Sequence, residues 1–145
     1  MSKEKLDTVR LQKMSRAFIE SASLFSAIDL ELFTAISQGS NTVSLFASAS
    51  GISELNAERL MTMCATADLI RWNDGHYENA EDVQRFLVKG EGGYAGPWLT
   101  FVRPGWKNWG ELTNKLTNQE EPKVIGSYES MSVEEARKYH EGTSS

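Results

Sequence analysis

The feature that most constrains the fold is a hairpin signal near the middle of the chain. Asn73-Asp74-Gly75 lies between two short runs of strand-forming residues, "LIRW" and "HYEN". Asp-Gly favours a tight turn because glycine accepts the positive φ that such a turn requires. A stretch rich in Leu and Met, with helical periodicity, comes directly before. Helix followed by hairpin is the order found in winged helix-turn-helix proteins, most of which bind DNA.

The segments before the hairpin are predicted to be helical. A long helix is expected over residues 7–29, and its apolar residues recur three or four apart to form one stripe: Leu11, Met14, Phe18, Ala22 and Phe25. A short helix, "ELFTAI", follows. Thr42 and Ser53 are typical N-caps, so two further helices are expected on either side of Gly51. The second of these should turn one stripe inward, made of Leu60, Met63, Cys64 and Ala67.

Helices are also predicted after the hairpin. "EDVQRFLVKG" should form one with Val83, Phe86 and Leu87 inward, and further helices are expected over 97–102, over 106–116 and after Ser132. The predicted fold is therefore mainly α, a winged helix-turn-helix-like helical domain with one small β-hairpin. Residues 1–96 would form the core, and residues 97–145 the C-terminal helices.

Charge argues against nucleic acid and anionic membranes as partners. The chain carries a net charge of −5, and between residues 42 and 80 five acidic residues face two basic ones. DNA affinity depends on cations that neutralise phosphates, so this balance is wrong for a DNA reader. The single cysteine, Cys64, excludes an internal disulfide and a cysteine-based zinc site and fits a reducing cytoplasm. We expect Cys64 to be a buried small hydrophobe.

The order of these motifs resembles the N-terminal dimerisation domain of the S-adenosylmethionine-dependent O-methyltransferases of plant phenolic and bacterial natural-product pathways. Each motif is weak alone, but their order is fairly specific, and the similarity covers nearly the whole chain. The matching residues are Leu30, Leu32, Phe33, Ala35 and Ile36; Arg59-Leu60-Met61; Tyr77-Glu78-Asn79; Phe86-Leu87; and Trp109 with Leu112. Asp68 departs from the family pattern, which usually has glycine at the entry to the wing.

The resemblance implies that this domain pairs with its twin and covers the acceptor pocket of a Rossmann-like catalytic domain. That domain would follow this one and carry S-adenosylmethionine and the catalytic base; neither is expected within residues 1–145. "KGEGGYAG" follows a helix rather than a strand and lacks G-x-G-x-x-G spacing, so we interpret it as a connector. We therefore expect no catalytic residue, cofactor or metal in this chain, and leave open whether the chain is itself an enzyme.

The resemblance also implies particular site residues. For a homodimer interface they are Phe18, Phe25, Leu32 and Phe33, although packing inside one chain explains each of these equally well. For contact with a small aromatic or polyketide-like acceptor they are Trp106, Tyr139 and His140, to which Phe101 is added because Trp98, Phe101, Trp106 and Trp109 crowd into twelve residues. Trp109 would belong to the core. Plain packing explains Trp106 equally well, and a solvated side chain is the more common outcome for a histidine placed like His140. An alternative function is a stand-alone winged-helix regulator or ligand-binding interaction module.

Overall fold

A computed structural model of the chain describes residues 5–118 and divides the chain into two compact units, Met1–Gly90 and Glu91–Ser145. The first unit contains α1 (Val9–Asp29), α2 (Leu32–Ser37), α3 (Val43–Ser50), α4 (Glu54–Thr66), β1 (Ile70–Asn73), β2 (His76–Asn79) and α5 (Glu81–Phe86). The described part of the second contains α6 (Gly96–Thr100), a 3-10 turn (Arg103–Gly105), α7 (Trp106–Gly110) and α8 (Leu112–Thr117). The predicted fold class, mainly helical with one hairpin, is confirmed.

The helix-turn-helix forms at the predicted caps. The hydroxyl of Thr42 accepts a hydrogen bond from the backbone N–H of Leu45 at 3.2 Å, and that of Ser53 accepts one from Asn56 at 3.1 Å. Each cap satisfies a backbone donor that the first turn of a helix leaves free. Gly51 ends α3 with φ of 80°, the left-handed conformation that glycine adopts without a steric cost. The sequence signals for α3 and α4 are thus confirmed.

The core of the first unit lies between α1, α2, α3 and α4, with contributions from the hairpin and α5. Its largest fully buried side chains are Phe33, Phe46, Leu32, Met61, Ile70 and Cys64. On α4 the buried stripe is Ala57, Leu60, Met61 and Cys64, at the spacing of one helical face. The prediction that Met63 points inward is wrong, because that stripe leaves Met63 on the exposed side of α4.

The hairpin pairs β1 and β2 antiparallel, with Ile70 opposite Asn79 and Trp72 opposite Tyr77. Asp74 and Gly75 both have positive φ, 48° and 92°, as a type I′ turn requires. The side-chain amide of Asn79 donates to the carbonyl of Phe33 and to Oε1 of Gln84, each at 2.9 Å. These bonds tie β2 to α2 and α5, so the hairpin is an integral part of the unit.

Two further expectations are corrected. On α5, Val83 and Leu87 are buried, but Phe86 is exposed and lies beneath the guanidinium of Arg85, 5.5 Å from the ring centroid. The single helix predicted over residues 106–116 is two short helices, interrupted at Glu111. The stripe of α1 is continuous in sequence but is buried only at Phe25, as described below.

Candidate functional site

Helix α1 uses only its C-terminal part to pack against its own chain. Every described residue from Lys5 to Ser21 is exposed, whereas Ser23, Phe25 and Ala27 are buried. The small side chains of Ser23 and Ala27 allow close approach of α4, and the Cys64 thiol lies 3.9 Å from the carbonyl oxygen of Ser23. The exposed part of α1, residues 9–21, is called the arm below.

The arm carries an uncovered apolar stripe. Leu11, Met14 and Phe18 are spaced as one helical face, and 54%, 66% and 61% of their surface is exposed. At 100° per residue this face lies about 140° around the helix from Ser23. Toward the end of α1 the same face continues to Phe25, which is buried. A contiguous apolar surface of this kind marks an interaction site in a water-exposed protein. The stripe was visible in the sequence, but only the structure shows that its first half lacks intramolecular cover.

The four predicted dimer residues fall into two groups. Phe18 lies on the exposed stripe, while Phe25, Leu32 and Phe33 are buried within the chain, the last two almost completely. Side chains that already fill the core of one protomer have little surface left for another. Of the four predicted dimer residues, Phe18 is the one whose side chain is exposed, and Leu11 and Met14 are exposed on the same face.

The hairpin of β1 and β2, called the wing below, carries a compact polar network rather than a cationic surface. The Glu78 carboxylate accepts hydrogen bonds from the Asn73 amide at 2.8 Å and from the Arg71 guanidinium at 3.2 Å, and lies 3.5 Å from Nε2 of His76. The bonds from Asn73 and Arg71 lower the pKa of Glu78 below its ordinary value of 4.5. Arg71, the arginine of the hairpin, is thus paired with Glu78, while its side chain stays exposed to solvent.

Helix α4, which stands where a DNA-binding protein of this type has its recognition helix, carries two acidic residues and one basic residue. Glu54 accepts a hydrogen bond from the Ser44 hydroxyl at 2.9 Å, and Glu58 is exposed on the same helix. Arg59, its only basic residue, donates to the Asn56 side chain at 3.3 Å. Base reading needs donors directed at base edges and cations at phosphates, and the exposed face of α4 presents mainly acidic, threonine and apolar side chains.

An aromatic segment of the second unit, residues 98–109, contains two of the predicted substrate-facing residues. Phe101 lies at the end of α6 and Trp106 at the start of α7, separated by the 3-10 turn, and both are half-buried. Trp109, expected in the core, is instead 52% exposed, because α7 buries none of its residues. Tyr139 and His140 lie outside the described residues.

The described residues do not fit a cofactor or metal site. The glycine-rich connector begins after α5, and the only described strands are those of the hairpin, so a strand–glycine loop–helix arrangement is missing there. Within residues 5–118, no group of three or more His, Cys, Asp or Glu side chains is placed to hold a metal ion. Burial raises the pKa of the Cys64 thiol to about 12, which makes it a poor nucleophile. Among residues 5–118, none of the helices combines the length and the hydropathy of a membrane-spanning segment.

Taken together, the fold and the exposed stripe define a helical interaction domain of winged-helix type. The family model for the O-methyltransferase dimerisation domain matches residues 12–89, more than half of the chain. The chain therefore belongs to the O-methyltransferase dimerisation domain family. A regulator or ligand-binding module that stands alone is not favoured.

The individual proteins that the chain resembles are methyltransferases, in agreement with the family model. The chain is 30% identical over 100 residues to 3-hydroxy-5-methyl-1-naphthoate 3-O-methyltransferase of Streptomyces sahachiroi, covering 66% of this chain and 29% of the relative. It resembles an O-methyltransferase family protein from Burkholderia thailandensis with 27% identity and a TM-score of 0.65, over 77% of this chain and 33% of that one. Human N-acetylserotonin methyltransferase, solved with S-adenosylmethionine, shares the fold at 18% identity and a TM-score of 0.70, over 98% of this chain and 44% of that one. The chain thus spans less than half the length of these relatives.

Proposed function

We propose that this chain is the homodimerisation and substrate-cap domain of an S-adenosylmethionine-dependent O-methyltransferase. The observation that carries the proposal is the uncovered stripe of Leu11, Met14 and Phe18 within the segment that matches the dimerisation family, whose model begins at residue 12. A second copy would cover this stripe. Burial of apolar surface is the main favourable contribution to such association.

The enzyme containing this domain would move a methyl group from the sulfonium of S-adenosylmethionine to a hydroxyl of a small aromatic or polyketide-like acceptor. The names of the relatives support this reaction class, and the aromatic segment of the second unit supports a planar acceptor. Large aromatic side chains form flat, rigid walls for such molecules. We assign acceptor contact to Phe101 and Trp106 and, outside the described residues, to Tyr139 and His140. A buried free thiol at Cys64 supports a reducing, cytoplasmic location.

Sedimentation of the chain tests the dimer. We expect the unaltered chain to sediment as a dimer at micromolar concentration and Phe18→Asp to raise the dissociation constant at least about tenfold, because burying a phenylalanine contributes roughly 2 kcal/mol. Leu55→Asp is the matched control, since Leu55 is 56% exposed but lies on α4. An unaltered chain that stays monomeric, or equal weakening by both substitutions, would exclude the assigned surface.

The substrate-cap role has its own test in the enzyme that contains this domain. Trp106→Ala should raise KM for the acceptor several-fold and leave KM for S-adenosylmethionine unchanged, because it removes a wall of only one of the two sites. Trp109→Ala, a substitution of the same size at an exposed position of α7, serves as the control. Equal effects of Trp106→Ala on both KM values would argue for a general structural role instead.

A further inference from the structure

We propose that Tyr94 is a positioning residue for the acceptor site, because its ring covers Gly96 and so fixes the helix that leads to Phe101. Tyr94 and Gly96 belong to the second unit and lie directly before the aromatic segment. This inference rests on the proposed substrate-cap function and adds to it a residue outside that segment. The ligand is the same small aromatic or polyketide-like acceptor.

The first step is the space beside Gly96. A Cβ atom added to Gly96 would lie 2.5 Å from Cζ and 2.8 Å from Cε2 of Tyr94. Non-bonded carbon atoms pack best at roughly 3.5–4.0 Å, so no residue with a side chain fits there while the ring keeps its place. Gly96 is helical and does not have positive φ. It is therefore the ring of Tyr94, and not the backbone conformation, that requires glycine at this position.

The second step is how little of α6 is buried. Among the five residues of this helix, all of which the structure describes, only Gly96 is buried, and Trp98 is 42% exposed. Short helices in proteins are stable mainly because one face packs against another element. Since α6 buries no large side chain, the cover that Tyr94 gives to Gly96 is an important contact at the start of this helix.

The third step connects Gly96 to the predicted acceptor contacts. The Thr100 hydroxyl donates a hydrogen bond to the carbonyl of Gly96 at 3.1 Å, and Phe101 follows directly as the C-cap of α6. One helical turn therefore joins the covered glycine to Phe101, and a shift at the start of α6 moves the Phe101 ring. Groups that bind a ligand must be held within about 0.5 Å of their productive geometry, so such a shift weakens acceptor binding.

Substitutions in the full-length enzyme that contains this domain test the role of Tyr94. Gly96→Ala should raise KM for the acceptor several-fold and leave KM for S-adenosylmethionine unchanged, because the added methyl group displaces the Tyr94 ring at only one of the two sites. Gly110→Ala is the matched control, since Gly110 is also helical and a Cβ there would meet nothing within 4 Å.

A double-mutant cycle identifies the ring as the cause. Tyr94→Ala alone should raise KM for the acceptor as much as Gly96→Ala does. Adding Gly96→Ala to Tyr94→Ala should cause no further rise, because the clash is gone and alanine forms helix better than glycine. If Gly96→Ala does not fold, the acceptor KM of Tyr94→Ala decides by itself.

The outcomes separate this inference from the proposed function. Additive effects of the two substitutions, or equal effects of Gly96→Ala and Gly110→Ala, would overturn the role of Tyr94. Equal rises in both KM values would show a general structural contact and would overturn it as well. In each of these cases the substrate cap still stands if Trp106→Ala raises KM for the acceptor alone. No change in that KM for Trp106→Ala would instead reject the substrate cap.

Discussion

Asp68 shows the energetic cost that one residue outside the core imposes. It follows α4 with φ of 60°, in the left-handed region where a Cβ is crowded against the backbone. We expect Asp68→Gly to raise the free energy of unfolding by up to about 1 kcal/mol, since relief of this crowding outweighs the extra freedom of glycine in the unfolded chain. Urea denaturation measures the change.

The matched control for that position is Asp68→Ala. Alanine keeps the Cβ and loses the short polar side chain that helps aspartate tolerate this conformation, so it should destabilise the domain. If the glycine and alanine variants lost stability equally, backbone crowding at this position would not be the deciding factor. Tight turns place the same demand on Asp74 and Gly75, both with positive φ.

At the scale of the element, the polar network on the hairpin centres on one carboxylate, Glu78. The pKa of Glu78 is lowered by hydrogen bonds from Asn73 and Arg71, so the folded hairpin favours the ionised form. The resulting stabilisation is present above pH 4.5, the ordinary value, and is lost as the pH falls through the lower value of the folded state. We expect the bonds from Asn73 and Arg71 to weaken in that acidic range, with a local change at the turn, and Glu78→Gln to remove this pH dependence.

Amide and indole NMR shifts of Gly75 and Trp72, followed from pH 6 to pH 3, report on the wing directly. The Trp72 ring packs edge-on against Tyr77, with centroids 4.9 Å apart, so its indole signal is sensitive to pairing of the strands. Glu58→Gln, on α4 rather than on the hairpin, should keep the transition seen in the unaltered chain. Loss of that transition in both variants would mean that Glu78 is not its source.

Elements with strong local signals were predictable from the sequence. The Asp74-Gly75 turn and the Thr42 and Ser53 caps act through backbone groups a few residues away, so their outcome does not depend on the rest of the fold. The facing of Met63, Phe86 and Trp109 was not predictable in this way. Whether each of these side chains is buried depends on which element packs against its face of the helix. Helical spacing alone does not identify that element.

The candidate interface was predictable only in part, for the same physical reason. The periodicity of α1 identified the stripe, but an apolar stripe fits a core and a protein interface equally well. Only the packing of α4 on Ser23 and Ala27 separates the two cases, because it leaves Phe18 exposed. Leu32 and Phe33 are residue types that are common in protein interfaces, but here both side chains are buried in the core.

For the whole molecule, it follows that folding and assembly use different parts of one helix. None of the residues of the arm is buried against its own chain, whereas Ser23, Phe25 and Ala27 complete the core. Removal of residues 1–18 should therefore leave a folded monomer. We expect its free energy of unfolding to match that of the Phe18→Asp monomer within about 1 kcal/mol, since surface changes away from packed groups rarely cost more.

Sedimentation and urea denaturation of the shortened chain check this, with dispersed hairpin resonances as proof of folding. Removal of residues 1–26 is the contrasting variant: it deletes Ser23 and Phe25, which are buried, and should prevent cooperative folding. The dependence of stability on protein concentration separates the two chains further. A dimer becomes more stable as its concentration rises, whereas a monomer does not. The unaltered chain should show a melting temperature that rises with concentration, and the chain lacking residues 1–18 should show none. A persistent concentration dependence without the arm would place the interface elsewhere on the domain.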